Sequence, residues 1–295
     1  MLGKIYVDKV HTWLQSIKTN GYGQQSLSED IVASLLALRT LRRLIIAGYE
    51  FPNRHVEVQE LWALACVQFG ELLSVFTQRS GSIHSALRQQ IEKHLLQLSK
   101  LHLEMVQVHP AAFGLLPDSI GLVKAYWGLL VSYGQTFGVQ STFTQSKIGT
   151  DGDVDEDIPC IEKLSLKGLL IIRACAKMVY SPSHTFKYQH EEDRAERKRS
   201  TTLMRNELLT ESVTREIMET LVARFFVFRP QDLRAWEEEP GEWERREENE
   251  GDVWLFSIRL CAEKLFLDLV INNKDLLIRP LLKVFYAVAS TCSSS

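Results

Sequence analysis

Residues 56–108 read VEVQELWALACVQFGELLSVFTQRSGSIHSALRQQIEKHLLQLSKLHLEMVQV. In the first half Val58, Leu61, Ala65, Phe69, Leu72 and Phe76 step by three and four, which places them on one stripe of an α-helix. Leu87, Ile91, Leu95, Leu98, Leu101, Met105 and Val108 repeat the pattern in the second half. Gly81 and Ser82 separate the two stripes, and so short a gap turns the second helix back on the first as an αα-hairpin. His109-Pro110 closes the hairpin, because the residue before a proline avoids the α region. The run Trp62-Ala-Leu-Ala-Cys-Val67 is apolar around more than half a helix's circumference, as expected of a helix packed on two sides.

The same period extends outward. Upstream, Ile31, Leu35, Leu38, Leu41 and Ile45 form a stripe, with Ser28 as expected N-cap, Glu29 and Asp30 at the positive end of the dipole, and Gly48 as stop. A shorter helix is expected around Ile5 to Ile17. Downstream come a helix over 118–133 and further stripes at Ile161–Leu164–Gly168–Ile171–Cys175–Met178 and Val213–Ile217–Leu221–Phe225. The last two are Leu255–Ile258–Ala262–Leu265–Leu269 and Leu277–Leu281–Val284–Val288. No stretch alternates convincingly as a strand. The polar stretches 134–157 and 181–199 read as inter-helix loops, and 232–252 as an acidic insertion. A single-core bundle would have to bury eight helices together, whereas a stack of hairpins needs only nearest-neighbour contacts. The expected fold is therefore all-α: one HEAT-repeat helical solenoid (α-α superhelix) over 1–295, its weak self-similarity being usual for HEAT arrays. Pro280 either kinks its helix or stands in its first turn; a proline within a repeat helix is a familiar HEAT feature.

Composition bounds the function. Hydrophobic residues make up 45% and charged residues 24%, as in globular proteins, and the net charge of −3 argues against a dedicated nucleic-acid binder. Five cysteines, at 66, 160, 175, 261 and 292, form no C-x-x-C pair and read as reduced thiols serving as small hydrophobes. No secretory signal is visible, and no apolar run is expected to span a bilayer. The expectation is a soluble intracellular protein, excised from a longer one.

Chemistry-bearing motifs are few. Asp151, Asp153 and Asp155, with Ile158 and Glu162, match EF-hand loop spacing, but Glu156 stands where the turn needs glycine and Pro159 follows. An acidic inter-helix loop is the better reading. The eight histidines scatter without ligand spacing, and no nucleophile elbow, Walker loop or dinucleotide fingerprint occurs. No enzyme, cofactor or metal site is expected. Residues 191–199 carry an acidic front and a basic back, and their net charge is zero. Residues 232–252 differ: ten acids face three arginines, a net of about −7 in a chain whose total is −3. Trp236 and Trp243 lie among them. These indoles either pin the segment to the helices or meet a partner, pinning being favoured. Glu237, Glu238, Glu239 and Glu242 are then left to face a basic partner.

Residues 229–243, RPQDLRAWEEEPGEW, resemble the tryptophan–acid–proline–glutamate–aromatic motif of the importin-β (karyopherin-β) family. Residues 251–266, GDVWLFSIRLCAEKLF, with ALRTLRRL at 37–44 and GYEFP at 48–52, resemble its importin-eleven branch. Gly241 within the motif, and Leu260 where that branch leads one to expect proline, are departures. The resemblance implies an internal segment of a monomeric nuclear import receptor, shuttling between cytoplasm and nucleus through the pores. The implied partners are Ran-GTP, protein cargo of basic character, and phenylalanine–glycine nucleoporins, without direct nucleic-acid contact. It makes Trp236, Glu237, Glu238, Glu239, Glu242 and Trp243 the candidate partner-binding residues. A HEAT scaffold outside transport is the alternative.

Overall fold

A computed structural model of the protein describes residues 2–19, 24–78, 85–138, 159–180, 191–248 and 252–292. Among these residues the regular structure is entirely helical, and contacts divide the chain into two compact units: residues 1–122 with 190–200, and residues 123–189 with 201–295.

The first unit is built from antiparallel pairs. Helix α1 (Leu2–Thr19) lies on α2 (Gln24–Gly48), while α3 (Val56–Gln78) and α4 (Ser85–Val108) form the hairpin read from the sequence, α2 also packing on α4. The stripe Ile31, Leu35, Leu38, Leu41 and Ile45 is buried throughout. On α3 the stripe centres on Trp62 rather than Leu61, which is only half-buried; on α4 it holds from Ile91 to Met105 and leaves Val108 exposed. Pro110 ends α4 by opening α5 (Pro110–Leu115), where its missing N–H costs nothing. Several buried polar groups pair across helices. Trp13 Nε1 donates to Ser34 Oγ at 3.1 Å, and Ser34 Oγ lies 2.9 Å from His94 Nε2. The Tyr6 hydroxyl donates to Gln68. His102 is wholly enclosed, edge-on to Trp62 and Phe69.

The second unit centres on α7 (Cys160–Tyr180), in which Leu169, Leu170, Ile171 and Ile172 are all buried, so the middle of the helix is covered around its circumference while Lys177 near its end is exposed. Gly168 makes this possible. A Cβ there would meet the Tyr126 ring at 3.2 Å and Leu130 at 3.3 Å, both on α6 (Ser119–Gly134). Opposite, α7 packs on α12 (Ile258–Asn272), and Arg173 reaches Asp268 at 2.7 Å with its guanidinium over Trp254 at 4.2 Å. A π turn, Leu221–Phe225, continues α9 (Glu211–Thr220) and also packs on α12. Helix α13 (Lys274–Cys292) lies along α9.

Three sequence expectations need correction, and one left open is decided. Residues 191–199 are not loop: they open α8 (Glu191–Glu207). Glu191, Glu192 and Asp193 stand in its first turn and Arg205 in its last, so the charge order complements the helix dipole. Arg54 adds bonds to Asp193 at 2.8 Å and Glu196 at 2.9 Å within the first unit. Helix α2 starts at Gln24, one turn before the expected cap Ser28. Of the two placements the sequence left open for Pro280, the structure has the first: it is interior to α13, which begins at Lys274, and removes a backbone donor there. Finally, Val56–Thr77 of α3 is long and apolar enough to cross a membrane by length and composition, with mean hydropathy 1.2. One face of it, with Trp62, Phe69 and Leu72, is buried in the first unit, a third of the stretch in all. The expected loop 134–157 and the EF-hand-like stretch lie mainly outside the described residues, as do 181–190.

Candidate functional site

The acidic segment is a pair of short helices, α10 (Pro230–Glu238) and α11 (Pro240–Glu248), followed by a 3-10 turn, Asp252–Leu255. Each helix begins on a proline, which fixes φ and needs no donor in the first turn. Asp232 accepts a hydrogen bond from the Arg229 backbone N–H at 2.8 Å and so fixes the entry to α10. Glu239, between the helices, leaves the helical region (φ −139°, ψ 66°) and so separates them.

Two arginines anchor this arm within the second unit. Arg229 donates to Glu162 of α7 at 2.8 Å and lies over the Phe137 ring at 4.9 Å. Glu162 also accepts from the Tyr133 hydroxyl at 2.9 Å, and burial, reinforced by that carboxylate, raises the phenol's pKa. At the other end Arg259 of α12 donates to Glu247 of α11, and to Glu263 at 2.9 Å. Its guanidinium stands over Phe228 at 4.9 Å and Trp243 at 6.0 Å. Both arginines are largely buried, so these charge-assisted bonds are shielded from competing water.

The tryptophans play a smaller part in holding the arm than expected. Trp243 is half-buried, 5.8 Å from Phe228 between ring centroids, but Trp236 remains 53% exposed. The two indoles stand 6.4 Å apart, tilted by 56°. Arg229 and Arg259 thus make the buried polar contacts of the arm, and Trp236 is left more than half exposed. Glu237, Glu238, Glu239 and Glu242 are all exposed beside it. Phe228, Asp232, Leu233, Trp236 and Trp243 enclose a cavity of about 250 Å³.

Sequence reading missed Phe228, Leu233, Arg229 and Arg259 as members of this site. Leu233 and Trp236 do sit at i, i+3 on α10, a usable signal once that helix is recognised. Arg259 lies on a separate element and gives no local cue. Elsewhere, burial pushes the Cys66, Cys175 and Cys261 thiols up to about 12, well away from nucleophilic thiolates. Among the described residues no cluster of three or more histidine, cysteine or acidic side chains is arranged to hold a metal.

No family model matches the chain. It is 27% identical over 296 residues to the importin beta-like protein KAP120 of Saccharomyces cerevisiae, a match covering all of the chain and 26% of that protein. It is 26% identical over 261 residues to human importin-11, covering 88% of the chain and 23% of that protein. Among solved structures it resembles Lph2, described as a bidirectional nuclear transport receptor of S. cerevisiae, with a TM-score of 0.72 and 25% identity. That likeness covers 94% of this chain and 25% of the solved one. The chain thus spans about a quarter of the length of its relatives. The all-α HEAT-repeat fold expected from the sequence stands on this agreement.

Proposed function

Since the chain is importin-β-like along its whole length and resembles the importin-eleven branch in particular, we propose that it serves as part of a nuclear import receptor. In that reading it carries protein cargo through the nuclear pore, shuttling between cytoplasm and nucleus, and acts by binding, without catalysis or a cofactor. Its partners are basic cargo, Ran-GTP and phenylalanine–glycine repeats. The partner-binding residues are Trp236, Glu237, Glu238, Glu239, Glu242 and Trp243.

The observation that supports this site most is the arrangement of the arm itself. Four exposed glutamates and a half-exposed tryptophan project from helices whose backbone is fixed by Arg229 and Arg259. Exposed carboxylates stay solvated until a basic partner arrives, and a fixed backbone reduces the ordering cost of binding. A scaffold outside transport would share the fold but not the partners. Binding of the purified chain to immobilised phenylalanine–glycine repeats, to Ran loaded with GTP or GDP, and to a basic ribosomal protein separates the two. The reading expects capture of the basic protein, with any Ran binding restricted to the GTP form. Failure to bind all three probes at low salt contradicts it.

A further inference from the structure

The cavity on the arm has a composition at odds with its surroundings. Among the described residues its walls are Phe228, Leu233, Trp236 and Trp243, with one acid, Asp232, which already receives the Arg229 backbone N–H at 2.8 Å. The helices that carry it, and the residue between them, also bear the exposed side chains of Glu237, Glu238, Glu239 and Glu242, which make the arm negative. A charged head-group entering such walls would lose its water and find no unengaged partner, whereas an apolar side chain would lose only unfavourable hydration. At about 250 Å³ the cavity lies below the usual range of small-molecule pockets, roughly 300–1,000 Å³, and has room for about one large side chain.

Three of its walls are unusually exposed for their type: Trp236 at 53%, Phe228 at 49% and Leu233 at 43%. Held open by the arginine anchors, these apolar surfaces would gain from being covered. Charge complementarity selects the cover. We propose that the notch takes one large apolar side chain, leucine, methionine or phenylalanine, from an extended basic segment whose flanking lysines or arginines meet these glutamates. The inference rests on the reading of the arm as a site for basic partners and adds the anchor that gives such a partner its register. Charge attracts many basic chains over a distance, while the notch discriminates among them by one residue.

Fluorescence anisotropy on the whole chain tests it with three labelled peptides. The first has a phenylalanine flanked on both sides by lysines and arginines, the second has alanine in its place, and the third keeps the phenylalanine among serines. The first should bind about tenfold more tightly than the second, as expected for burying one large apolar side chain, and the third should bind weakly. Trp236→Ala and, separately, Leu233→Asp should abolish the preference for phenylalanine over alanine while leaving residual, salt-sensitive binding of both basic peptides. Circular dichroism should show that each variant keeps its helical content. Replacing Glu237, Glu238, Glu239 and Glu242 by glutamine should weaken both basic peptides alike and leave their ratio intact. Equal binding of the first two peptides by the parent, with loss in the glutamine variant, overturns the anchor but leaves the basic-partner reading standing. Equal binding of the first and third overturns the basic character of the segment. Failure of all three peptides to bind overturns both readings.

Discussion

Arg229 and Trp236 sit seven residues apart on one arm yet differ in what their removal should do. Arg229 is held by Glu162, and its loss leaves a largely buried carboxylate without its cation. Arg229→Ala should therefore destabilise the second unit by about 2–3 kcal/mol, the scale of a hydrogen bond to a charged group. Trp236, more than half exposed, has little burial to lose, and Trp236→Ala should cost less than about 1 kcal/mol. Urea unfolding of the two variants compares them directly; an equal or larger loss for Trp236→Ala would restore the indole as the chief anchor. Histidines of the first unit make a second prediction at this scale. Burial holds His94 down to about 4 and His102 to about 3, so both stay neutral in the fold. In the unfolded chain each titrates near 6.5, so below that pH the unfolded state binds more protons and stability falls on acidification. The loss should continue as the pH falls toward about 4, at roughly 1.4 kcal/mol per pH unit for each histidine. Urea midpoints measured at pH 7 and pH 5 should differ accordingly, and replacing both histidines by glutamine should flatten the difference; equal midpoints in the parent would contradict it.

Helix α7 packs against α6 through Gly168, where added side-chain atoms would run into Tyr126 and Leu130. Gly168→Leu should accordingly lower stability by about 1–3 kcal/mol through overpacking, read as a lower melting temperature with the helical signal retained below it. An unchanged melting temperature would mean that the two helices are not so closely apposed. What could be read in advance follows from the same local rules. The stripes on α2, α3 and α4 were legible because each is set by a period of 3.6 in consecutive residues. The start of α8 was not, since Glu191 to Arg199 lacks an apolar stripe and is helical through dipole complementarity and the grip of Arg54, 139 and 142 residues away from its partners. At the candidate site the glutamates and the tryptophans were visible as composition. Phe228 became part of it only because Arg259, on another helix, stands over its ring and over Trp243, a meeting no local pattern encodes.

Across the whole molecule, charge is unevenly spread. The net is −3, while 232–252 alone carry about −7, so the remainder of the chain is slightly basic. Attraction of basic partners should therefore be local to the arm and sensitive to ionic strength, since exposed charges are screened beyond about 10 Å at 0.1 M salt. The most direct test is the affinity of a basic ribosomal protein for the parent chain and for the variant with Glu237, Glu238, Glu239 and Glu242 all changed to glutamine, measured across a salt series. The variant should unfold within about 0.5 kcal/mol of the parent, because the four side chains are exposed. It should bind more weakly at low salt and show a shallower salt dependence. Superimposable binding curves at every salt concentration would contradict the account and leave the acidic arm a structural insertion only.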